Sequence, residues 1–139
     1  MVAINSQFKQ FCNDKIYYIE RDEYGHVIII LRDIYVKKFA PNEQKYFIQH
    51  IIDIVNNSLK ISKKYDNNTC FVHIYLEKCN PKQYSHKFFK RINAILLERF
   101  EDILDKCFVY SKSKMFSFIW NIVRNFLDKD VRTKIVHMQ

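Results

Sequence analysis

Five histidines and four cysteines are the side chains in this 139-residue sequence whose types suit nucleophilic, acid–base or metal chemistry. Cys70 and His73 come closest to a nucleophile and base pair, but they stand three apart in a predicted strand, which turns them to opposite faces. His26, His50, His86 and His137 form no HxxxH or HExxH arrangement, so their spacing gives no metal site. Cys12, Cys70, Cys79 and Cys107 include no CxxC pair and no histidine at zinc-finger distance. Cys79 and Cys107 read as ordinary buried or half-buried thiols. Gly25 is the only glycine, which excludes a glycine-rich phosphate loop. The expectation is a protein that is not an enzyme and uses no metal or cofactor.

Charge offers more than catalysis does. The 23 Lys and Arg against 15 Asp and Glu give a net charge of +8, which favours anionic partners such as phosphate-bearing lipid or nucleic acid. An AT-rich coding sequence also raises Lys together with Asn, Ile, Tyr and Phe, without any function attached. One basic cluster, Lys78, Lys82, Lys87, Lys90 and Arg91, is mixed with Tyr84, Phe88 and Phe89, as in nucleic-acid binders. Those aromatics fall at the core spacing of a helix, however, and a buried ring cannot stack on a base. Nucleic acid is therefore disfavoured, while an anionic membrane leaflet suits the same lysines.

These groups need elements to hold them. With 48% hydrophobic residues, 12 Phe and 9 Tyr against one Gly and two Pro, the chain is composed to pack one domain. The longest apolar run, VIIIL at 27–31, is far short of the roughly 20 residues of a membrane-spanning helix. The opening MVAINSQFKQ has no secretory apolar run, so a reducing, cytoplasmic setting with free thiols is expected. Two β-runs, 15–19 and 26–32, flank a turn assigned to Gly25. Phe47, Ile51, Ile54, Val55 and Leu59 predict a long amphipathic helix from 42 or 43 to about 64. A buried strand (70–76), a second helix through Phe88, Ile92, Ile95, Leu96 and Phe100, and a third interior strand (106–110) follow. A third helix with Ser113 as its cap and a last strand (133–138) complete the order. Alternation of this kind predicts an α/β fold with a mainly parallel sheet and right-handed crossovers.

The third helix carries the segment FSFIWNIVRNFL at 116–127. Ser117, Asn121 and Arg124 or Asn125 form one narrow polar stripe, while Phe116, Ile119, Trp120, Val123, Phe126 and Leu127 fill the rest. A sheet covers one side only. The remaining apolar surface meets another helix, a partner, or an apolar ligand, and a plain core role is equally open.

From Asp22 to Met138 the order of motifs resembles the CRAL-TRIO lipid-binding domain. DEYGHVIIILR is similar to the family's opening "D-x-x-G-R-P-V" turn and strand, and FVHIYLEKC to its "v-i-i-D-l-e-G" strand. The run RFEDILDKCFVYSKSKMFSFIWNIVRNFLDKDVRTKI at 99–135 resembles the family's longest conserved pattern, through the ordered set Glu101, Phe116, Trp120, Phe126, Leu127, Asp128, Lys134 and Ile135. Ser113 and Lys114 stand where the family has "P-w", and Val131 where it has threonine.

The resemblance implies a single three-layer domain over residues 1–139, with 1–14 as an extension and the family's C-terminal gate absent. It implies binding of a phospholipid, a phosphoinositide or another small hydrophobic ligand, with transfer or peripheral docking on an anionic membrane. Glu101 and Lys134 stand at headgroup positions of the phosphatidylinositol-binding members, and Lys129 and Arg132 join them by analogy with the tocopherol carrier. Phe116, Ile119, Trp120 and Val123 are the candidates for lining the apolar part. A cut-down scaffold for a protein partner is the alternative, and apolar surface beside the third helix would suit such a partner or a homodimer.

Overall fold

In the computed structural model, which describes residues 3–78, 85–100 and 102–139, the chain forms five α-helices and five strands among the described residues. In order they are α1 (Ser6–Lys15), β1 (Ile16–Arg21), β2 (Tyr24–Ile30), α2 (Pro41–Lys63), β3 (Cys70–Tyr75), α3 (His86–Arg99), β4 (Leu104–Tyr110), α4 (Ser113–Val123), α5 (Lys129–Thr133) and β5 (Ile135–Met138). The strands pair in sequence order, β1-β2-β3-β4-β5. The first pair is antiparallel and the other three are parallel. The α/β expectation of a mainly parallel sheet with crossover helices holds.

Parallel strands laid down in sequence order by right-handed crossovers put every crossover helix on the same face of the sheet. The packing agrees. Val27, Cys70, Ile16 and Val72 point to one face, where they meet Cys12 of α1, Phe47, Ile51 and Val55 of α2, and Phe88 of α3. Val72 also joins Cys107 and Val109, which meet Met115, Phe116 and Ile119 of α4. The opposite face carries no described helix.

Most of α1 falls within residues 1–14, the expected extension ahead of the first strand. Asn5 caps it by accepting from the Phe8 N–H at 2.8 Å, and Cys12 is fully buried. Phe8 and Phe11 pack on Phe39 in edge-on geometry. At the start of α2, Pro41 supplies the first helical residue and the Glu43 carboxylate accepts from the Ala40 N–H at 2.8 Å. Ser113 does not cap α4: Lys112 occupies that position, and Ser113 Oγ accepts instead from Gln139 Nε2 at 2.8 Å.

Gly25 is not the turn residue. The hairpin turns at Asp22 and Glu23, both at positive φ (54° and 69°), and Arg21 pairs directly with Tyr24. Gly25 lies inside β2, buried under α2, where its N–H donates to Ser62 Oγ at 2.8 Å. A Cβ there would stand 1.9 Å from the Ser58 carbonyl oxygen. Its backbone φ is not positive, so the demand is for space.

Gly25→Ala is therefore expected to cost about 3 kcal/mol or more, since helix backbone must move to admit the methyl. Ser62→Ala should cost about 1–2 kcal/mol by orphaning a buried N–H. Urea unfolding of the two variants beside the parent checks the order of these losses.

Candidate functional site

Strand alternation gives the helix-free face its side chains. On that face the cross-strand neighbours are Ile28 and His73, then His73 and Phe108, then Phe108 and Val136. One row toward the strand starts lie His26, Phe71 and Lys106, and one row toward the strand ends lie Tyr75, Tyr110 and Met138. Aromatic and β-branched residues suit a pleated surface, which is why this paving coincides with regular parallel pairing.

The rings stack across the strands. His26 lies on Phe71 (centroids 5.0 Å), Phe71 on Phe108 (6.1 Å), His73 on Phe108 (5.2 Å), and Tyr75 on Tyr110 (4.4 Å, planes 6° apart). Phe71, Tyr75, Phe108 and Tyr110 are half-buried, and Tyr17 and Met138 on the same face are exposed. The result is an apolar floor open to one side.

Within this floor runs a chain of hydrogen bonds. His26 Nε2 is 3.0 Å from the Arg21 carbonyl oxygen, His26 Nδ1 is 2.8 Å from His73 Nε2, and His73 Nδ1 is 2.8 Å from the Tyr110 hydroxyl. Both histidines are buried, at 6% and 4% exposure. Desolvation, seconded by the Arg21 charge, holds both imidazoles neutral: it lowers His26, and with His26 beside it His73 falls to about 4. Burial and the neighbouring Tyr75 push the Tyr110 hydroxyl the other way, up. Sequence spacing missed the pair because its members are 47 residues apart. Only the parallel register of β2 and β3 makes them neighbours.

The basic groups gather at the strand starts. Lys106 is exposed on the aromatic face, and Lys134, half-buried, directly precedes β5, where its carbonyl accepts from the Cys107 N–H at 2.9 Å. That bond sets Lys134 beside the Lys106 end of β4. Lys129 and Arg132 are exposed on α5, in the same segment. Glu101 and Cys79 lie outside the described residues, as do Lys82 and Tyr84 of the basic cluster that begins at Lys78.

The apolar residues of α4 turn mainly inward on the helix-bearing face. Phe116 stacks on His137 of β5 (4.1 Å, planes 9° apart) and Ile119 packs with it against Cys107 and Val109. Val123 is 6% exposed, and Trp120 is half-buried beside Phe116, with ring centroids 6.0 Å apart. Phe118, which the stripe analysis left out, is the exposed aromatic of this helix at 45%.

Thiol chemistry is suppressed where the thiols are described. Burial raises Cys12 and Cys70 to about 11 and Cys107 to about 12. Among the described residues no three His, Cys, Asp or Glu side chains group to hold a metal ion, and no helix is long and apolar enough to cross a membrane.

The histidine pair gives stability a pH dependence with a definite sign. The unfolded chain binds protons at these residues near pH 6.5, whereas folded His73 resists protonation until about pH 4. Stability is thus fully present above the unfolded value and declines as pH falls from about 6.5 toward 4, by on the order of 2–3 kcal/mol for His73. Thermal melts across that range should show the decline in the parent chain, and His73→Phe should flatten it.

Comparisons with known proteins agree with this geometry. The model of the CRAL/TRIO domain family matches residues 12–139. Among solved structures, one described as the crystal structure of Sfh5 superposes with a TM-score of 0.77 at 12% identity, covering 98% of this chain and 51% of its own. The chain thus spans about half the length of that structure, and the likeness at this identity concerns the fold. Among curated proteins none matches the sequence. With the family model matching nearly from end to end, and the fold repeated in a solved structure, the chain belongs to the CRAL/TRIO domain family.

Proposed function

We propose that this chain binds a phospholipid, laying its acyl part on the aromatic floor of the sheet and its phosphate-bearing headgroup at the basic strand starts. The CRAL/TRIO family is a family of lipid-binding domains, which supports the ligand class. The observation that carries the placement is the helix-free face itself: stacked, half-buried rings of β2, β3 and β4 with no described helix over them. An apolar surface of this extent on one side of a packed sheet is expected to be covered by something.

The headgroup end follows from charge. The backbone bond from the Cys107 N–H to the Lys134 carbonyl brings the chain at Lys134 alongside the start of β4, which carries Lys106, and each ammonium offers three donors to phosphate oxygens. Arg132 and Lys129 extend the positive surface from α5, which suits peripheral docking on an anionic leaflet, and a phosphoinositide supplies the strongest charge match. Glu101 belongs to this headgroup reading as an acceptor for inositol hydroxyls. On α4, Phe116 and Ile119 pack against β4 and β5 and Val123 is buried, while exposed Phe118 and half-buried Trp120 could meet a membrane or a protein partner.

Co-sedimentation with phosphatidylcholine vesicles, with and without phosphatidylinositol 4-phosphate, tests this. Binding should require the anionic lipid, and Lys106→Ala with Lys134→Ala should weaken it by roughly 30-fold, from about 1 kcal/mol per lysine. Phe108→Asp should abolish lipid carried through purification, as read by native mass spectrometry. Binding indifferent to anionic lipid and to both lysines would favour the scaffold for a protein partner instead.

A further inference from the structure

The hydrogen-bond chain on the aromatic face has a direction, which neutral imidazoles dictate. The Arg21 carbonyl can only accept, so His26 Nε2 carries the proton of that 3.0 Å bond. A neutral His26 then has a bare Nδ1, and His73 Nε2–H donates to it at 2.8 Å. His73 is left with a bare Nδ1 in its turn, which accepts from the Tyr110 hydroxyl at 2.8 Å. Tyr110 has one proton and it is committed inward. Its remaining capacity, toward Tyr75 and the open side, consists of lone pairs alone.

Resting on the lipid-binding reading above, we propose that Tyr110, positioned by His73 and His26, is an acceptor site that selects an amphiphile carrying a free hydroxyl over one of the same shape with an ether or ester oxygen. An alcohol donates to the Tyr110 oxygen and completes the chain. An ether or ester brings an acceptor to an acceptor, and one of the two goes unpaired in an apolar setting, which is where such mismatches discriminate most strongly.

The surroundings keep the direction. Arg21 on β1 and Asp22 in the hairpin carry the nearby charges acting on His26, and Arg21 also acts on His73 and Tyr110. The titratable groups on the other strands are Tyr75 on β3 and Tyr110 on β4, with Lys106 one row away. Tyr75 stacks on Tyr110 and hydrogen-bonds its hydroxyl. Because Tyr110 has no proton to give, Tyr75 must be the donor of that bond. A ligand hydroxyl would compete with Tyr75 for the lone pairs of the Tyr110 oxygen.

The test uses the intact chain at pH 7.5 and two probes of equal length, oleyl alcohol and oleyl methyl ether, competing against a bound environment-sensitive fluorophore. The alcohol is expected to compete about tenfold more tightly. Tyr75→Phe should keep that preference, since Tyr110 still ends the chain in lone pairs. His26→Phe should erase it by raising affinity for the ether, because His73 can then donate through Nδ1 and release the Tyr110 proton outward, where an ether oxygen accepts it. Equal competition by both probes in the parent chain would overturn the selectivity while leaving lipid binding in place. Failure of both probes to displace the fluorophore would overturn both. Preservation of the preference in a folded His26→Phe protein would show that the histidines do not set it.

Discussion

Helix α2 lies closer to the sheet than any side chain would permit, and the rest of the architecture depends on that contact. Gly25 offers no Cβ, its N–H donates to Ser62, and the Ser58 carbonyl sits where a methyl would be. Brought this near, Phe47, Ile51, Ile52 and Val55 pack into one cluster with Val27, Ile16 and Cys70, and the neighbouring α1 closes over it through Cys12. Burial in that cluster raises the Cys12 and Cys70 thiols to about 11. Helix and sheet are joined by backbone proximity first and by side-chain packing around it.

Sequential winding then divides the sheet into unequal faces. One is sealed by α1 to α4; over the other no described helix lies. Rings from adjacent strands cover each other there, and the two histidines are buried within this mutual stacking. A buried imidazole must hydrogen-bond, and on this face the available partners are another imidazole, a tyrosine and a carbonyl at the end of β1. The directional chain is thus a by-product of placing polar rings in an apolar floor.

Much of the framework was legible beforehand, for identifiable reasons. The period of Phe47, Ile51, Ile54, Val55 and Leu59 marks α2 because a helix buried along one stripe must repeat that way, and β3 and β4 read as strands because parallel strands with both faces apolar do not alternate cleanly. Helix α1 escaped because ten residues with three inward side chains leave too little period to detect. Gly25 was read as a turn because glycine serves backbone conformation more often than close approach. Lys106 and the His26–His73 pair escaped because their significance arises from strand register, which local spacing does not encode. Lys129, Arg132 and Lys134 were legible as a basic segment, and the register adds where Lys134 stands. Family membership came from ordered motifs spread over the chain, a signal no single element contains.

The sole glycine has a corollary for the turns. Among the described residues, six that are not glycine, Asp22, Glu23, Asp33, Asp66, Lys78 and Asp102, take positive φ, and none of the turns that contain them has a glycine to relax it. Left-handed backbone costs an L-residue roughly 1 kcal/mol, least for aspartate, so Glu23 and Lys78 carry the larger burden. The loops therefore leave stability unrealised, and Glu23 and Lys78 are where a glycine would recover most of it.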